Sequence, residues 1–168
     1  MRRYRYVGPE QIRAAALAGS AGPGNSAGSA GPGNSAGSDP TGAGTFTYIV
    51  DLEGTLRLAH RRSEHVACAG GRDVLAAGEI TFARDGDGWL VSDVTNQSTG
   101  YCPDVTCWPA VAAALDRIGV RRPTDFTSAF IFRRCEGCDA ITIVKDGDFT
   151  CPQCDEPLPA NWNVAPPP

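Results

Sequence analysis

The sequence predicts an α+β fold: a β-rich antiparallel unit with one or two short helices. Short runs of alternating apolar and polar residues, tight glycine-containing turns between them, and only two segments of helical character carry that reading. Cysteine spacing adds a C-terminal element. Cys135-Glu-Gly-Cys138 and Cys151-Pro-Gln-Cys154 make a CxxC-x12-CxxC pattern, that of a zinc ribbon.

Residues 1–18 form a basic arm, with four Arg against one Glu. Good helix formers at 10–18, with Pro9 suited to the first turn and Gly19 to the C-terminal end, predict a short helix. The apolar stretch 14–18 is too short for the core of an export signal. A reducing cytoplasmic location is therefore expected, where seven cysteines point to metal or thiol chemistry rather than disulfides. No run reaches the ~20 apolar residues of a membrane helix.

Residues 19–44 are a Gly/Ser/Ala/Pro stretch in which GSAGPGNSA occurs twice in succession. It holds no large apolar side chain and reads as a flexible linker. Setting it and the arm aside leaves 45–129 as the β-rich unit and 130–164 as the ribbon, enough chain for one modest folded body.

Within that unit, residues 45–50 alternate with Phe46, Tyr48 and Val50 on one face, and 55–60 return as the second strand of a hairpin. A further short strand is expected at 65–69, ahead of Gly70-Gly71. Runs 74–83 and 88–95 flank Asp85-Gly-Asp-Gly88 as a second hairpin. Residues 109–118 read as a helix, with Val111, Leu115 and Ile118 on one face and Gly119 at its end. Residues 128–134 and 140–144 are strands, Lys145–Asp148 is a turn, and Phe149-Thr150 is expected to return as a strand.

Cys135, Cys138, Cys151 and Cys154 are the expected metal ligands, because two CxxC turns joined by a hairpin bring four thiolates to one tetrahedral ion. Zn²⁺ is the expected cofactor; iron is the other metal such a shell accepts. Four closed positions leave no place for water, which makes the metal structural. From residue 130 onward three basic groups face six acidic ones, so nucleic acid is an unfavoured partner and a protein partner the expected one. Trp162 is expected to pack on the ribbon. The sequence carries no signal of oligomeric state.

A second constellation lies in the β-rich unit. His65, Glu79, Tyr101 and Cys102 are candidate catalytic residues of an enzyme, with Cys102 as nucleophile and a histidine as its base. A small buried apolar group is the commoner role of a free cysteine and the first reading of Cys102, and His65, Cys68, Cys102 and Cys107 form a loose second ligand set. The polar run 96–103 reads as a loop that either presents Asn96, Gln97 and Tyr101 to a partner or packs Tyr101 inside.

Ser63, Gly70 or Gly71, Ala77-Gly78-Glu79, Gly100, Tyr101 and Pro103 resemble a pattern in plant IQ-motif calmodulin-binding proteins and related bacterial effector-type domains. The family's His before Tyr is absent, and Cys102 stands between Tyr101 and Pro103. Residues 45–164 as a whole resemble uncharacterised bacterial zinc-ribbon proteins. Neither resemblance supplies a reaction; the ribbon makes a binding or regulatory module the first expectation, and a transferase or hydrolase of a bacterial conflict system with a site around His65, Glu79, Tyr101 and Cys102 is the alternative.

Overall fold

Asp51 sets the first turn: its Oδ1 accepts the amides of Glu53 and Thr55 at 3.1 and 2.8 Å, and Gly54 takes a left-handed φ of 78°. In this computed structural model, which describes residues 1–7 and 43–165, that turn joins β1 (Gly44–Val50) to β2 (Leu56–His60). After a short helix α1 (His65–Cys68), the long hairpin β3 (Ala76–Asp85) and β4 (Gly88–Val94) completes a four-stranded antiparallel sheet in the order β2-β1-β3-β4. A 3-10 turn at Val105–Cys107 runs into α2 (Trp108–Arg117), and β5 (Ile131–Arg134) pairs with β6 (Ile141–Val144) as a separate two-stranded ribbon. The helix expected at 10–18 and nearly all of the linker lie outside the described residues.

The core gathers Tyr48, Ile80 and Val94 from the sheet with Val111 and Leu115 from α2, all fully buried. Phe46, Tyr48 and Val50 were expected to share a buried face. The other face closes too, because Thr47 Oγ1 donates to the carbonyls of Arg61 and Ser63 and both Thr47 and Ile49 are buried. The β1–β3 pair comes close to its neighbours at Gly78, where a Cβ would sit 2.0 Å from the Thr95 carbonyl oxygen. Tyr48 Oη donates to that same oxygen at 2.8 Å.

Four sequence expectations need correction. Residues 65–69 form a helical turn, not a strand: only Val66 and Ala69 are buried, and Gly70 and Gly71 end the turn at φ 60° and 71°. The five residues His-Val-Ala-Cys-Ala carry too little period to separate the two states. Residues 149–150 do not return as a strand; Thr150 makes a lone bridge to Pro157, and Leu158 donates to the Phe149 carbonyl. Gly44 belongs to β1 rather than to the linker. The arm is also no appendage over its first seven residues. Tyr4 exchanges backbone hydrogen bonds with Val74 at 2.8 and 2.9 Å, and Tyr4 and Tyr6 are buried in the main core. Val74 is thereby diverted from β3, which starts at Ala76.

Ribbon and sheet are bolted together by side chains. Asn96, wholly buried, donates from Nδ2 to the carbonyls of Pro103 and Phe130 at 2.9 and 2.7 Å and accepts the Phe130 amide at 2.7 Å. Trp162 donates from Nε1 to the Cys102 carbonyl and meets Tyr4 edge-on at 5.3 Å. It therefore packs between the ribbon and the main core rather than on the ribbon alone.

Candidate metal centre

The two CxxC turns fold almost identically. In the first, Asp139 N–H donates to the Cys135 carbonyl at 2.9 Å and Cys135 N–H to the Ala140 carbonyl at 2.8 Å. In the second, Asp155 donates to Cys151 at 2.9 Å and Cys151 to the Glu156 carbonyl at 2.8 Å. Asp139 and Asp155 occupy the same place in each, both left-handed at φ 62° and 61°. Aspartate tolerates that conformation better than most residues, so the longer repeat CxxCD is the local signal that shapes each turn.

These turns aim four sulfurs at one point. All four Sγ atoms lie within 4.8 Å of one another, with Cys135–Cys154 at 3.5 Å and Cys138–Cys151 at 3.7 Å. A tetrahedral shell with metal–sulfur bonds of about 2.3 Å has edges of about 3.8 Å, so the arrangement fits one ion. Backbone amides face the sulfurs as they would face thiolates. Gln153 and Cys154 pull the Cys151 thiol down to about 7; the amides of Ala140 and Glu156 act on Cys138 and Cys154 in the same sense, but desolvation and the neighbouring sulfurs leave those two thiols raised. Cys135 and Cys151 are buried with Val144 and Leu158, while Cys138 and Cys154 are exposed. Among the described residues no other group of three or more His, Cys, Asp or Glu converges in this way, so the loose set of His65, Cys68, Cys102 and Cys107 does not assemble.

The candidate catalytic residues occupy separate surroundings. His65 Nε2 sits 2.9 Å from the Gly78 carbonyl, which makes Nε2 the protonated nitrogen. Burial lowers the pKa of His65 despite the neighbouring Glu64 and Glu79 carboxylates. Glu79 pairs loosely with Arg61 at 4.0 Å. Tyr101 is buried, donates to the Arg72 carbonyl at 2.8 Å and packs edge-on to Tyr6. Cys102 is 1% exposed, its thiol donates to the Thr99 carbonyl at 3.2 Å, and its nearest apolar company is Phe132 and Val164.

Burial pushes the Cys102 thiol up to about 12, the reverse of what a nucleophile needs, and the charge that acts on it is Arg134 rather than a histidine. Cys107 is likewise pushed up to about 12 by burial and by Asp104. Both thiols should therefore resist iodoacetamide at pH 8 in the folded chain and react once it is unfolded in urea. Alkylation of native Cys102 at the rate of a free thiol would restore it as a nucleophile.

Of the residues that carry the resemblance to the IQ-motif and effector-type pattern, Gly78, Gly100 and Tyr101 are closely packed. A Cβ on Gly100 would lie 2.8 Å from the Tyr6 ring, and Gly78 is confined more tightly still, by backbone. The chain matches no family model, no curated protein and no solved structure.

The charge of the ribbon surface is more one-sided than its composition implies. Arg133 turns inward, 7% exposed, and donates to the carbonyls of Phe132, Pro159 and Ala160. Arg134 is spent on Asp139 and the Val164 carbonyl. Lys145 is left as the ribbon's exposed base among Glu136, Asp146, Asp148, Asp155 and Glu156.

Proposed function

We propose that this chain is a cytoplasmic protein-binding module whose ribbon is held by one structural Zn²⁺ on Cys135, Cys138, Cys151 and Cys154. The single observation that carries this reading is the closed four-sulfur shell, with all Sγ atoms within 4.8 Å. Such a shell has no open position for substrate or water, so its metal stabilises a surface rather than performing a reaction. The acidic exposed face of the ribbon opposes phosphate and suits a protein partner. Among the described residues no helix is long and apolar enough to cross a membrane.

Two measurements test the proposal. Elemental analysis after exhaustive dialysis should give one zinc per chain. No metal, two zinc ions, or the visible absorption of a four-thiolate iron site would contradict it. Affinity capture on the full chain should retain a protein partner that is lost when the Zn²⁺ is chelated. Nucleic acid as the retained species would overturn the partner assignment.

A further inference from the structure

The β5–β6 register leaves one edge of the ribbon open. Cys135 N–H donates to Ala140, and hydrogen-bonded pairs alternate in an antiparallel ladder. The pairs Arg133↔Thr142 and Ile131↔Val144 are therefore the bonded ones, and the backbone groups of Arg134 and Phe132 point outward from β5. That side is largely covered: Asn163 accepts the Arg134 amide at 2.9 Å and donates to its carbonyl at 2.8 Å, and Arg133 covers the Phe132 carbonyl, which leaves the Phe132 N–H as its open group among the described residues. On β6 the outward groups are the N–H and C=O of Ile141 and Ile143, and among the described residues none of them has a hydrogen-bond partner.

A groove of about 690 Å³ runs beside this edge. Ile141, Thr142 and Ile143 all line it, and three consecutive strand residues line one groove only where it follows the strand's edge, since their side chains alternate between faces. Thr99, Phe132 and Pro152 line it as well. At the turn end, exposed Asp146 and Asp148 line it beside Lys145, within the acidic surface that Arg133 leaves uncompensated.

Resting on the protein-binding reading above, we infer that this edge is the docking site. An extended segment of a partner protein adds to β6 as a third strand, seats alternate apolar side chains in the groove, and carries Lys or Arg where it passes Asp146 and Asp148. Main-chain hydrogen bonds to Ile141 and Ile143 supply affinity, and the groove and acidic rim select sequence. Four strand residues at ~3.3 Å each match a peptide stretch of about 13 Å.

Selection of a displayed random dodecapeptide library on the zinc-loaded full chain tests this. The expected winners alternate apolar residues and then carry Lys or Arg. In fluorescence anisotropy, N-methylating the edge-facing amides of a winner should weaken it about tenfold per hydrogen bond lost. Asp146→Asn with Asp148→Asn should weaken it several-fold and flatten its salt dependence. These substitutions keep the turn, because Asn tolerates the left-handed φ of 52° at residue 146 and can still accept the Thr150 amide as Asp148 does. Zinc content and melting temperature verify that the double variant is folded.

No enrichment, winners rich in Asp or Glu, or binding indifferent to N-methylation would each overturn the edge as the site. A captured partner that the peptides do not displace, and that the double variant binds as well, removes the edge while leaving the protein-binding reading intact. Capture of no protein at all removes that reading itself.

Discussion

Cys138→Ser is expected to abolish zinc binding and unfold residues 130–164. The ribbon's apolar core is small and split in two: Cys135, Val144, Cys151 and Leu158 are buried around the sulfurs, with Ile131 and Phe149 partly covered, while Phe132 and Val164 are buried against Cys102 of the main unit. So small a core does not hold the segment in place unaided, because ordering the chain costs conformational entropy. Metal binding makes a large favourable contribution, about 10–16 kcal/mol in small zinc modules. Cys138 is the informative position because it is exposed, so its replacement removes a ligand without hollowing the core. Loss of amide dispersion for β5 and β6, together with a changed Trp162 emission, would report the collapse. Acid should do the same reversibly, since protons compete with the ion for all four sulfurs. A variant that keeps its dispersion and melting temperature would show that the metal is dispensable to the fold.

Legibility in the sequence followed how local the determining physics was. The four cysteines were readable because metal chemistry dictates both residue type and spacing, and the antiparallel strands because pleat and turn chemistry act over a few residues. The segment 65–69 was ambiguous on those terms, since a single buried valine serves a helical turn as well as a strand. The arm carried a signal that its arginines obscured. Tyr4 and Tyr6 sit two apart, as a strand requires, and both reach the core.

The role of Asn96 was beyond local reading. Its partners Pro103 and Phe130 lie 7 and 34 residues away, and nothing near a polar side chain announces such a pairing. The open edge of β6 was equally hidden, because it depends on Asn163 covering the opposite edge from outside both strands.

Asn96→Ala and Tyr101→Ala should each cost several kcal/mol, which makes the loop 96–103 a joint rather than a recognition surface. Removing the Asn96 amide strands three backbone groups in a buried junction, the Phe130 N–H and the carbonyls of Phe130 and Pro103. Each unpaired buried group costs about 1–3 kcal/mol, so a total of at least about 3 kcal/mol is expected. Asn96→Asp should be almost as damaging despite its shape, because a carboxylate only accepts while two of the three partners are carbonyls. Tyr101→Ala empties a fully buried ring site against Tyr6, a loss of about 3–5 kcal/mol. Tyr101→Phe forfeits mainly the hydrogen bond to Arg72 and should cost about 1 kcal/mol. Urea denaturation of the zinc-loaded chain measures all four. Losses below ~1 kcal/mol for both alanine variants would mean that these side chains face a partner instead of the junction.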